Sequence, residues 1–119
     1  MTQPLLFQRT EAGILLISVI LTYQYLGGPW LVFGLLFFVP DIFALGYVAG
    51  PRVGAASYNV GHSLALPLMI LTGGILTGQS MAQLGALIWL AHVGFDRVLG
   101  YGLKEDSGFK DTHLGHIGR

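Results

Sequence analysis

At 119 residues the chain is about one domain long, yet 53% of it is hydrophobic, 10% is charged and its mean hydropathy is +0.66. A soluble domain carries roughly 25% charged residues, so six basic and six acidic side chains are too few to cover a water-facing body. The absence of cysteine excludes a disulfide framework, a zinc ribbon and a cysteine nucleophile, and a formal net charge of zero argues against a nucleic-acid partner.

In chain order, four apolar stretches of membrane-crossing length are expected, at about residues 10–26, 29–48, 54–77 and 80–99. A hydrocarbon core of ~30 Å needs ~20 helical residues, and no stretch shows the alternation of a barrel wall. Gly27, Gly28 and Pro29 form the first turn, with Trp30 as an interfacial anchor. Ala49 to Arg52 form the second turn, and Gly78 to Ser80 the third, with Ser80 as an N-cap. Connections this short predict an all-α, up-down four-helix bundle in the membrane.

Basic residues set the expected orientation. Arg9, Arg52, Lys104, Lys110 and Arg119 fall on one side and Arg97 lies near it, whereas the loops of the opposite side carry none. By the positive-inside rule both termini are cytoplasmic, as expected of a multi-pass protein of a bacterial inner membrane.

Ionisable groups inside a span cost roughly 2.5–3.5 kcal/mol each and are functional candidates. At ~1.5 Å per residue, Asp41, His62 and His92 each lie ~10–12 Å below the cytoplasmic end of their spans. Asp96 follows His92 by one turn, and Asn59 and Ser63 share a face with His62. Two imidazoles and two carboxylates suit a divalent metal, with zinc, iron and manganese all compatible, and such an ion acidifies a bound water. Asp41, His62, His92 and Asp96 are therefore candidate ligands and, with Asn59, candidate catalytic residues. The structural alternatives are hydrogen-bonding glue between helices for the histidines, a cap after Pro40 for Asp41, and an ion pair with Arg97 for Asp96. Gly74 and Gly78 read as small-residue helix packing.

Residues 101–119 mix glycines, aromatics and both charges, and are expected to fold back as a cytoplasmic cap or to anchor on the anionic leaflet. There Arg52, Lys104, Lys110 and His113 would meet a lipid headgroup or phosphate.

Pro40-Asp41, Gly46-Tyr47, Ala49-Gly50-Pro51-Arg52-Val53-Gly54, Tyr58-Asn59 and Gly61-His62 precede a long run, Ile88-Trp89-Leu90-Ala91-His92-Val93-Gly94-Phe95-Asp96-Arg97. With Gly100 to Lys104 and Gly108 to Gly115, these elements give a chain that resembles a family of small bacterial four-span membrane proteins catalogued as a domain of unknown function. More loosely, His and Asp on neighbouring spans are similar to membrane metal-dependent hydrolases of the ceramidase-like group. That group's His-x-x-x-His pair is replaced here by His92 and Asp96.

These observations lead to an expected metal-dependent membrane enzyme, a hydrolase of a lipid or lipid-linked substrate at the cytoplasmic leaflet. The alternatives are a small homo-oligomeric proton-coupled transporter, a b-type haem protein ligated by His62 and His92, and a structural membrane protein.

Overall fold

A computed structural model of the chain describes residues 3–100, together with the backbone of residues 104–105, 108–112 and 115–116. Helix α1 (Gln3–Tyr25) is followed by α2 (Trp30–Leu36), a 3-10 segment (Val39–Ala49), α3 (Pro51–His62), α4 (Ala65–Thr77) and α5 (Ser80–Val98). Three short strands follow, β1 (Lys104–Glu105), β2 (Gly108–Thr112) and β3 (Gly115–His116), paired antiparallel in that order. The chain to residue 100 is thus helical, and the small sheet is an addition to the expected all-α architecture.

Several boundaries differ from the sequence expectation. The first helix starts at Gln3, well before residue 10. The second and third stretches are each divided into two pieces, and proline explains both breaks. A proline lacks the N–H that bonds the carbonyl four residues earlier, and its ring crowds that carbonyl. Pro40 therefore blocks the helix at Leu36, where α2 ends, and Pro67 blocks it at Ser63, whose ψ of 159° is extended. Ser80 is the first helical residue of α5 and Gln79 is the cap residue, without a side-chain cap bond.

The turns use residues suited to them. Gly27, Gly50 and Gly78 have φ of 76°, 118° and 70°, a region open mainly to glycine. The Tyr23 hydroxyl closes the first turn by donating to the Pro29 carbonyl at 2.6 Å. Close approaches show that the 3-10 segment and α3 run antiparallel, with Gly54 against Tyr47, Gly46 against Ser57 and Gly61 against Phe43. Helix α5 packs antiparallel to α1, with Gly94 against Ala12 and Leu16 and Gly13 against Val98. It also packs against α4, where Gly74 lies under Ala82 and Gln83.

Three segments are long and apolar enough to cross a membrane, Gln3–Tyr25, Trp30–Ala49 and Pro51–Thr77. The fourth rod, α5, is not among them although it is the most deeply buried element, with Ala86, Leu87, Ile88 and Leu90 to Gly94 inside. The polarity is reversed relative to a water-soluble bundle. Large apolar side chains such as Leu21, Leu31, Leu35, Leu45 and Leu76 point outward, while the polar residues His62 and His92 are buried. Strands β1 and β2 lie against α3.

Candidate metal centre

Both chain breaks are adjacent to ionisable side chains. Asp41 directly follows Pro40 in the first turn of the 3-10 segment, and its Oδ1 meets both His62 and His92. His62 is the last residue of α3, where the rod is interrupted. The break is tied down by the Ser63 hydroxyl, which accepts from the Ala65 N–H at 3.1 Å, and by Arg97, which donates to the His62 carbonyl at 3.4 Å. Backbone freed by a broken helix is tolerated in a membrane only where protein groups satisfy it again. His92 and Asp96, four residues apart, share one face of α5.

These three rods bring four side chains to one point. His62 Nε2 lies 3.0 Å from Asp41 Oδ1, 3.0 Å from His92 Nε2 and 3.4 Å from Asp96 Oδ2. His92 Nε2 lies 3.1 Å from Asp41 Oδ1 and 3.2 Å from Asp96 Oδ2. One ligand atom from each of the four residues lies within 4.8 Å of every other. A tetrahedral zinc with bonds of ~2.0–2.1 Å places its ligand atoms ~3.3–3.4 Å apart, close to these separations. Asp96 pairs with the histidines, and no ion pair joins it to Arg97 among the described residues.

The proton positions follow from the partners. The Tyr58 carbonyl can only accept, so His62 donates Nδ1–H to it at 3.0 Å and turns the Nε2 lone pair into the cluster. Tyr58 also lies flat on the imidazole, with ring centroids 3.7 Å apart and 4° between planes. The buried His92 Nδ1 has no hydrogen-bond partner among the described residues. An unsatisfied buried N–H costs about 1–3 kcal/mol, so without an ion the His92 proton belongs on Nε2, where Asp41 and Asp96 accept it. Two imidazoles and two carboxylates at these separations are a nitrogen and oxygen donor set that suits a divalent cation.

Exposure separates the four ligands. The side chains of His92, His62 and Asp96 are 1%, 4% and 13% exposed, whereas Asp41 is 49% exposed. Phe37 and Phe38 approach the His92 ring edge-on, at 5.2 and 6.2 Å between centroids. The centre is therefore dry on the α5 side and open on the Asp41 side.

The other candidates are placed elsewhere or lie outside the described side chains. Asn59 is one turn before His62 on α3. Arg52 is exposed in the first turn of α3. Lys104 and Lys110 fall in β1 and β2, whose side chains are not described, and His113 lies outside the described residues. The sequence reading missed Tyr58 as a support for His62, although its position four residues earlier was the available signal.

No curated protein and no solved structure matches the chain. Residues 6–117 match a family model whose description is a domain of unknown function, DUF4260. The chain belongs to that family.

Proposed function

We propose that the chain is a metal-dependent membrane hydrolase acting on a lipid or lipid-linked substrate. The observation that carries this reading is the convergence of Asp41, His62, His92 and Asp96, with three groups buried and one facing out. A catalytic zinc site typically has three protein ligands and one open position, whereas a structural site is closed. His62, His92 and Asp96 supply the three ligands, and Asp41 occupies the open side. These residues would hold a divalent ion, whether zinc, iron or manganese, which would supply Lewis acidity toward water near neutral pH. Asp41 orients that water and takes its proton, while Phe37 and Phe38 exclude bulk solvent from behind His92.

The same reading places the protein in a bacterial inner membrane with both termini cytoplasmic, because the basic residues are one-sided. On that side the exposed Arg52 would meet lipid headgroups. Packing of β1 and β2 against α3, the helix that ends at His62, supports a cap over the cytoplasmic mouth. The 3.0 Å between the two Nε2 atoms is too short to seat a porphyrin between the rings, which favours a small ion over haem. Broken helices meeting at a polar site are also a transporter device, so an oligomeric proton-coupled carrier is the second reading. Flux into proteoliposomes under a pH gradient would favour it.

The test uses purified protein incubated with bacterial lipid extract, with products followed by mass spectrometry. Hydrolysis should stop with chelator and return with an added divalent ion. Asp41→Asn should keep the ion yet lose about 10²–10⁴-fold in rate, as expected when a general base is removed. Lipids left intact under every metal tested would contradict the hydrolase reading.

A further inference from the structure

Beside the metal centre lies a cavity of about 150 Å³ that the chemistry above does not use. One wall is Leu36, Val39 and Phe43, from the α2 rod and the 3-10 segment, and the other is Gly85, Ile88 and Trp89 of α5. The cavity is open on one side and its lining is almost wholly apolar, which suits a hydrocarbon occupant rather than a polar one. Leu36 and Val39 are themselves substantially exposed on a segment apolar enough to cross a membrane, so hydrocarbon chains would surround the rim.

The cavity and the cluster are neighbours along both rods. Pro40, which also lines the cavity, is bonded to Asp41, and Trp89 precedes His92 by about one turn on α5. The combined region is therefore amphiphilic, with an apolar cavity whose lining includes the residue before Asp41 and the residue one turn before His92. A lone apolar ligand would leave the polar end unused, and a water-soluble ligand would leave the cavity unused.

We propose that this cavity seats a segment of a lipid acyl chain, with the acyl linkage placed at the Asp41–His62–His92–Asp96 cluster. The placement of the linkage rests on the hydrolase reading, whereas seating of the chain does not require a metal.

Trp89 makes the proposal testable, because bromine on an acyl chain quenches a tryptophan that it touches. The only other tryptophan is Trp30, far along the chain near the first turn, and Trp30→Phe removes its signal. In that background a dibrominated fatty acid titrated into detergent-solubilised protein should quench Trp89 saturably. Gly85→Leu should then weaken the apparent affinity about tenfold or more, the effect of losing burial for two methylenes. This substitution is tolerated by the fold, because a Cβ at Gly85 meets nothing within 4 Å and leucine is the better helix former. Unchanged metal content in Gly85→Leu confirms that the bundle is intact.

Saturable quenching that survives His62→Ala supports the acyl site, whatever becomes of the metal. Quenching that rises linearly with the brominated lipid, or that Gly85→Leu leaves unchanged, reflects bulk contact and overturns the proposal, even if the protein carries its metal.

Discussion

His62 shows how closely one side chain is specified here. Its Nδ1–H is held by the Tyr58 carbonyl, its face is covered by the Tyr58 ring, and its Nε2 is left to point at three other ligands. Groups that orient a metal-ligating histidine typically contribute 10–100-fold to metal affinity when removed. Tyr58→Leu keeps that carbonyl and removes only the stacked ring, so metal binding is expected to weaken by about threefold, less than for a lost bonded partner, measured by competition with a chromophoric chelator while helix content stays the same. Unaltered affinity would mean that the stack is only packing. At this scale much was legible from the sequence. Asp41, His62 and His92 were expected at one level from helical rise and Asp96 from its spacing to His92, and the structure brings the four together. The spacing of Tyr58 four residues before His62 was legible, but its flat stacking and the bond from Nδ1–H to its carbonyl were not, since they depend on a rotamer and a backbone group.

At the scale of elements, the two proline breaks deliver ligands that an unbroken helix would point elsewhere. Pro40 and Pro67 were visible as breakers, but the lengths of the pieces and the 3-10 form of Val39–Ala49 were not. A 3-10 stretch of this length is unusual, and such stretches mark hinges or strained sequence. Pro40→Ala restores the N–H that the Leu36 carbonyl lacks, so α2 should extend and carry Asp41 away. The expected outcome is higher helical content by circular dichroism with the ion kept and hydrolysis lost, as for Asp41→Asn; a retained rate would show that Asp41 does not depend on the break. The 3-10 segment is also held by glycine. A Cβ at Gly61 would collide with the Phe43 ring, and overpacking of this kind costs about 1–3 kcal/mol. Gly61→Ala should lower the melting temperature in detergent, and an unchanged melt would show that Phe43 can move aside.

For the whole molecule, composition pointed to the membrane, and three segments have the length and hydropathy to cross it. It did not show that α5, the rod carrying His92 and Asp96, would lie at the centre. That placement follows from its polarity, because a helix with inward histidine and aspartate must be shielded from lipid by the more apolar rods. The tail sheet was not legible either, since Lys104–Glu105 and Gly115–His116 are too short to show a period. Topology is directly testable because the chain has no cysteine. Single substitutions Arg52→Cys and Gln79→Cys should react with an impermeant thiol reagent from opposite faces, the first only after the cytoplasmic side is opened. Labelling of both from one face would overturn the orientation.

The measurement that tests the central claim most directly is the metal content and ligand shell of purified, folded protein. Elemental analysis should find about one divalent ion per chain, and X-ray absorption a shell of nitrogen and oxygen at ~2.0–2.2 Å, with the ion lost in both His62→Ala and His92→Ala. A folded protein that takes up no ion from a metal-containing buffer, or variants that keep it, would contradict the account.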